Sequence, residues 1–309
     1  MRYKLKHDPI PFIMKHAGDI VKLSLLLKTG LLETKLAKDL LLNILKKQNP
    51  DGGFPNQFDK EASGLKTTYS TALLLIRCGM PAQCFSVQGA LGFILKQQRP
   101  DGGFAEANDV PIPEWMTWES KEKSVTYYTA RIIELLYLLG MDDTEVFKRA
   151  VSWLRGMQHS DGTYPVYEGS EIDPDTTVGV AFLMRELYGE QDEVYKRGKE
   201  RFEEYLTELS EDAERGYHFY QGKREENDIY HLTHILHESV VAAGYDLHDP
   251  RVQKIVTAIL MAQQPDGGWR VFWTKGSDPG YSVYTLELLL ALKVISEDEL
   301  QTRLLSSVK

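Results

Sequence analysis

Three things are scarce in this chain of 309 residues: cysteine, clustered basic charge and long apolar runs. Cys78 and Cys84 are the only cysteines, and a separation of six positions fits no metal or redox spacing, so they read as buried thiols in a reducing compartment. Lysine and arginine total 36 against 45 aspartates and glutamates, a net charge of −9 with no basic block. A nucleic-acid binder needs a basic footprint to neutralise phosphates, so that class is disfavoured. No apolar run approaches the roughly 20 residues that span a bilayer; no transmembrane segment is expected, and peripheral membrane contact stays open. The opening MRYKLKHDPIPFIMKH has neither the long apolar core nor the small-residue cleavage site of a signal peptide, which makes the cytoplasm the expected location.

What is abundant is repetition. Gln48 to Phe54 (QNPDGGF), Gln98 to Phe104 (QRPDGGF), Gln158 to Tyr164 (QHSDGTY) and Gln263 to Trp269 (QQPDGGW) share the pattern Gln-x-x-x-Gly-x-aromatic. The glutamines are 50, 60 and 105 residues apart, the last gap being about two periods. Such a period holds two helices and their turns, and neither helix can bury its apolar face alone. Proline stops the preceding helix, glycine permits the positive backbone angles of a tight turn, and glutamine can satisfy backbone groups left open at a helix end. These residues read as staples rather than as chemistry.

Helical periodicity predicts six pairs: 16–30 with 33–48, 66–79 with 86–98, 122–140 with 143–158, 175–188 with 192–210, 228–244 with 250–263, and 279–295 with 297–307. The first helix of each pair is apolar and opens with Tyr, Thr, Ser or Asp, as in TTYSTALLLI (67–76); the second carries the charge, as in DEVYKRGKERFEEYL (192–206). Six apolar helices inside six polar ones give an all-α fold, a single α6/α6 toroid over residues 1–309. At the fourth turn the staple is replaced by the charged stretch 210–228, which reads as a lid, a partner contact or an unconstrained loop. Parallel inner helices would turn their N-terminal ends, each with roughly half a positive charge, toward one mouth, which would suit a diphosphate or carboxylate.

The repeat resembles the QW motif of the terpenoid cyclase and protein prenyltransferase superfamily, whose domains are α/α toroids, and the resemblance runs through essentially the whole chain. Asp173-Pro174-Asp175-Thr176-Thr177 resembles the Asp-x-Asp-Asp-Thr of squalene-hopene-type cyclases, and Asp175-Thr176-Thr177 resembles the Asp-Cys-Thr of oxidosqualene cyclases. The resemblance implies that Asp175 is the acid that protonates an alkene or epoxide, with Asp173 and His231 tuning it. Thr176 stands where one branch has a third aspartate. An aspartate at a helix start is usually held ionised, whereas a general acid needs burial or a second carboxylate nearby, so N-capping by Asp175 is the competing reading.

Asp228-Ile229-Tyr230-His231 resembles the Asp-x-Tyr-His of protein prenyltransferase β subunits, where the histidine binds zinc. That implies an alternative metal site of Asp173, Asp175 and His231 for zinc or another divalent ion; the favoured reading needs no cofactor. An oxygen ligand would replace the family's thiolate, and 162–172 lacks the basic residues of its diphosphate segment. His231, His234 and Glu238 share one helical face by spacing, with His237 directed away.

Tyr69, Tyr127, Tyr128, Tyr230, Tyr281 and Tyr284 fall near inner-helix starts, and Trp118 and Trp273 lie in adjoining loops. Aromatic faces stabilise cations, so these residues are the candidate lining for an isoprenoid-like ligand, with plain core packing as the alternative. The favoured function is an isoprenoid-processing enzyme like the type II, squalene-type cyclases. The alternatives are a metal-dependent prenyltransferase-like or hydrolytic site, and a non-catalytic toroid that binds a lipid or protein. Cyclases of this family generally pair two toroids, so a second subunit or homodimer is an expected partner.

Overall fold

The computed structural model describes residues 3–114, 116–211, 213, 233–237, 240, 244–271 and 273–307. The helices are α1 (Ile10–His16), α2 (Asp19–Lys28), α3 (Lys35–Leu45), α4 (Leu65–Arg77), α5 (Phe85–Leu95), α6 (Thr126–Leu138), α7 (Glu145–Gly156), α8 (Pro174–Tyr188) and α9 (Glu193–Glu211). The series continues with α10 (233–237), α11 (Pro250–Met261), α12 (Pro279–Ala291) and α13 (Glu297–Ser307). Among the described residues, β structure is limited to two short antiparallel pairs and two isolated bridges. The pairs join β1 (Phe54–Pro55) to β2 (Ser63–Gly64) and β3 (Trp269–Arg270) to β4 (Ser277–Asp278). No described helix is long and apolar enough to cross a membrane.

The chain forms two compact units, one of residues 41–198 and one of residues 1–40 with 199–309. In the first, α6 packs against both α4 and α8, while α5 lies on α4 and α7 on α6. The apolar helices are buried on most of their faces: Leu65, Thr68, Tyr69, Thr71, Ala72 and Leu73–Leu75 on α4, and all of Pro174–Val178 and Val180–Met184 on α8. α7 instead buries only Phe147, Ala150, Val151 and Leu154, a single stripe at helical spacing. In the second unit α12 packs against α1 and α2, and α1 against α13.

Each repeat uses its glutamine in the same way. Gln48, Gln98, Gln158 and Gln263 donate from Nε2 to the carbonyl four residues on, at Gly52, Gly102, Gly162 and Gly267. The same Nε2 reaches a second carbonyl at the start of another helix, Ser86 of α5, Val146 of α7 and Val194 of α9, or just before one, His7 ahead of α1. The turn glycine is fixed by that approach. At Gly102 (φ +103) an added Cβ would lie 2.7 Å from the Arg149 carbonyl oxygen, and at Gly52 (φ +91) 2.3 Å from that of Gly89.

The aromatic that follows is tied to the next apolar helix. The backbone N–H groups of Phe54, Phe104, Tyr164 and Trp269 donate to the hydroxyls of Thr68, Thr129, Thr177 and Ser282. Those hydroxyls in turn donate to the carbonyls of Gly64, Val125, Asp173 and Asp278, four residues back. This is the physical reason for the Thr/Ser openings of the apolar helices.

Two expectations need correction, and a third falls on residues outside those described. α1 was not foreseen, and the first helix of the expected pair 16–30 starts at Asp19. Cys78 and Cys84 are free but half-buried rather than buried. The stretch 210–228 falls almost wholly outside the described residues.

Candidate functional site

The first turn of α8 gathers the acidic pair. Asp173 is the N-cap: its Oδ1 accepts the backbone N–H groups of Asp175 (3.0 Å) and Thr176 (3.3 Å), and its Oδ2 accepts the Thr176 hydroxyl at 2.5 Å. Capping by Asp175 is therefore corrected to capping by Asp173. Pro174 at the first helical position is the signal for it, since proline is preformed for N1 and has no N–H to satisfy. Asp175 sits one step into the helix and is 4% exposed, among Thr176 and Thr177, both buried. Its carboxyl is thus buried without being needed to start the helix.

Of the alternative metal set, Asp173 has both oxygens hydrogen-bonded at the helix start. His231 and Tyr230 lie outside the described residues, as does Glu238. Among the described residues no group of three or more His, Cys, Asp or Glu side chains is placed to hold a metal.

A second polar cluster lies at the starts of α4 and α6, and the sequence reading missed it. Glu106, 3% exposed, reaches back to the start of α4: its Oε1 accepts the N–H groups of Leu65 (2.5 Å) and Ala107 (2.9 Å), and its Oε2 that of Lys66 at 3.4 Å. Burial raises its carboxyl above the usual range, against these backbone hydrogen bonds and with help from Glu119. Glu119, also buried, takes the Lys66 ammonium at 3.1 Å. The expected anion-attracting helix ends are thus already occupied by the chain's own carboxylates, Glu106 on α4 and Asp173 on α8, and likewise Asp278 on α12. Glu106 lies 41 residues from the N–H it caps, so no local sequence signal points to it.

The expected lining residues divide between the units. In the unit of residues 41–198, Tyr69 and Tyr128 meet edge to face, ring centroids 5.7 Å apart, and each is 2% exposed. Burial pushes both phenols well above their ordinary pKa, and the Glu106 and Glu119 charges add to it. Among the described residues the Tyr69 hydroxyl has no hydrogen-bond partner, whereas the Tyr128 hydroxyl faces the Glu119 carboxylate, an acceptor that helps to raise its pKa. Tyr127 lies under the Arg131 guanidinium at 5.4 Å, and Trp118 is half-buried in the loop before α6.

In the other unit Trp273, 44% exposed, meets Tyr281 edge-on at 6.4 Å. Tyr284 stacks on His237, centroids 4.1 Å apart, and lies 5.3 Å from His234. His234 and His237 therefore face the same ring, as i, i+3 spacing allows, which corrects the expectation that His237 is directed away. His237 Nε2 lies 3.5 Å from Glu287 Oε2, and Glu287 also accepts from the Ser24 hydroxyl at 3.0 Å and lies 3.7 Å from the Lys28 ammonium. Burial alone would raise the Glu287 carboxyl, but His237, Lys28 and Ser24 hold it below the ordinary range. Trp269 is fully buried, its indole N–H donating to the Ile259 carbonyl at 2.7 Å, as a staple should be.

Comparison with known proteins returns one family model, the prenyltransferase alpha-alpha toroid domain, over residues 20–177 and again over 116–306. No curated protein sequence matches. Among solved structures, the type II terpene cyclase MstE from Scytonema superposes with a TM-score of 0.58 at 16% identity, covering 89% of this chain and 87% of that one. A variant of the same enzyme holds its substrate, geranylgeranyl dihydroxybenzoate. The ent-copalyl diphosphate synthase from Streptomyces platensis gives 0.56 at 17% identity, over 92% of this chain and 50% of that one. An alpha-amylase from Clostridium perfringens gives 0.57 at 13% identity, over 90% and 86%. At these identities the likeness is one of fold, and the amylase shows how widely that fold is used.

Proposed function

The chain belongs to the prenyltransferase alpha-alpha toroid family, and from that premise we propose that it is an isoprenoid-processing enzyme of the type II terpene cyclase kind, with Asp175 as the acid. One observation carries the reading: Asp175 is buried in the first turn of α8 while Asp173, not Asp175, is the N-cap. As the acid, Asp175 would give its proton to an alkene carbon, becoming a carboxylate and leaving a carbocation whose ring closures end when a base takes a proton back. Asp173 holds the backbone on which Asp175 stands and acts as a positioning residue.

The reading treats residues 1–309 as one toroid. The Scytonema cyclase and this chain each cover most of the other's length, so a second subunit or homodimer, expected from the two-toroid members, is not required by it. Its geranylgeranyl ligand supports a long isoprenoid as the ligand class here.

The test is incubation with C15 to C30 isoprenoids and product analysis for the unaltered chain and for Asp175→Asn. Cyclised product that disappears in the variant is the expected result. Full activity in the variant would reject the acid role, and binding without turnover by either would favour a passive lipid binder.

A further inference from the structure

The connection between a staple's aromatic and the apolar helix after it is longest in the second repeat: residues 105–125, against 55–64, 165–173 and 270–278 in the other three. The extra length is a loop tip. In the first repeat the Asn56 N–H donates to the Ala62 carbonyl at 2.8 Å, and in the second the Glu106 N–H donates to that of Ser120 at 2.9 Å. Residues 107–119 therefore stand where the first repeat has only 57–61. A surface loop of this length with its ends joined is a compact body, and Pro111 and Pro113 stiffen its backbone.

The described residues of this loop reach back over the first repeat. Ala107 and the fully buried Val110 pack with Ala62 and Phe93 in a small apolar cluster, with Ile112 at its edge. Gln57 Nε2 donates to Met116 Sδ at 3.9 Å, and Glu119 takes the Lys66 ammonium at 3.1 Å. Asn108, Asp109, Pro111, Glu114 and Thr117 are exposed. The loop is thus held by a small cluster and an ion pair whose lysine is 42% exposed, whereas α4 and α6 beneath it bury most of their residues. Segments with few buried apolar contacts are the ones that open locally, well below the free energy of global unfolding.

The loop straps the end at which Asp175 stands. α6 packs against both α4 and α8, and its first residue is tied to the stretch leading into α8: Thr126 donates from its backbone N–H to Val166 and from its hydroxyl to Pro165. Asp175 is buried there, as are Glu119 and the rings of Tyr69 and Tyr128. An acid must touch the alkene it protonates, so a buried Asp175 requires part of this end to move aside before substrate can reach it. Residues 54–64 are fixed by a strand pair, and 165–173 by a bridge and the Asp173 N–H bond to the Tyr164 carbonyl. No described residue of 107–119 belongs to a strand pair or a bridge.

We propose that residues 107–119 are a lid, latched by the Lys66–Glu119 ion pair and hinged where Glu106 meets Ser120, which opens to admit the isoprenoid to the start of α8. The inference rests on the isoprenoid reading and adds how the substrate enters. Glu106 is the fixed side of the hinge, because its carboxylate accepts the N–H groups of Leu65 and Lys66 and so stays with α4. Opening parts Lys66 from Glu119 and lifts Val110 and Met116 out of their packing, and it leaves α4 and α6 folded.

The experiment ties the lid to its seat. In a Cys78→Ser, Cys84→Ser background, Gln57→Cys and Met116→Cys are joined by a short, reducible bis-thiosulfonate linker. Association of geranylgeraniol in non-ionic detergent is then read by tryptophan fluorescence before linking, after linking and after reduction. Linking should slow association at least about tenfold, and reduction should restore it. Linked protein that takes up the alcohol as fast as unlinked protein would overturn the lid and leave the isoprenoid reading standing. Hydrogen exchange decides even if the cysteine variants misfold. In the unaltered chain the amides of Val110, Met116 and Glu119 should exchange at least about tenfold faster than those of α6, and Lys66→Met should speed them about threefold more with α6 unchanged. Exchange in step with α6 in both chains would overturn the lid. Failure of the unlinked protein to bind geranylgeraniol would overturn the isoprenoid reading and the lid's role in it.

Discussion

The turns at 98–104 and 158–164 do the same job with different atoms. In the first, Asp101 accepts the hydroxyl of Ser124, a residue that arrives from the far side of a long loop. In the second, Asp161 accepts the hydroxyl of Thr163 within the turn itself, at 2.8 Å. Thr163 occupies the place of Gly103, and Ile172, 41% exposed, occupies the place of Ser124. At Gly103 an added Cβ would fall 2.5 Å from Ser124 Cβ, so the glycine and the serine come as a pair. What repeats is therefore a hydrogen-bond pattern around an aspartate, and the residues supplying it can be exchanged together. With its serine gone, the third turn leads straight into the Asp-Pro start of α8.

Breaking the feature common to both turns should have the largest effect. Gly102→Ala combines a positive φ with a clash against the Arg149 carbonyl and is expected to cost about 3 kcal/mol, measured by denaturant unfolding. The difference between the turns is tested by Thr163→Gly, which removes the hydroxyl from Asp161 and should cost about 1.5 kcal/mol. Adding Ile172→Ser should return most of that; no recovery in the double variant would show that the two hydroxyls are not equivalent. For the helix starts, Asp173→Ala should lose about 1 kcal/mol as the cap goes, while Asp175→Asn should stay within about 0.5 kcal/mol of the parent.

The smallest effect is a slope. Glu106 has a carboxyl raised above its unfolded value, so between the two pKa values the folded chain binds more protons than the unfolded one. Stability should therefore fall as pH rises through that window, just above the ordinary carboxylate range. Glu106→Gln should flatten this part of the stability profile, and an unchanged slope would mean that the raised carboxyl makes no contribution.

The sequence carried the staples because each is local: glutamine, glycine and aromatic lie within seven residues, and helical spacing marks the rest. It carried the acidic pair for the same reason, and Pro174 could have told cap from acid. The first helix was lost because IPFIMKH is a single short run between Pro9 and Gly18, too brief to show a period. Glu106 was lost because its function depends on a loop returning to the start of α4, a distance that no spacing rule covers. The edge-to-face contact of Tyr69 and Tyr128 was equally out of reach, since both look like ordinary core until their neighbours are placed.

Gln263 does for His7 what the other glutamines do for residues that follow them in the chain. Its side chain also accepts the N–H groups of Lys6 and His7 at 2.8 and 3.1 Å. Residues 41–198 are contiguous and have all their staple partners within reach as they leave the ribosome, whereas residues 6–16 must wait for some 250 more to be synthesised before their glutamine exists. The hydrogen bonds that tie Lys6 and His7 to Gln263 therefore close over the longest stretch of sequence that any of the four staples spans.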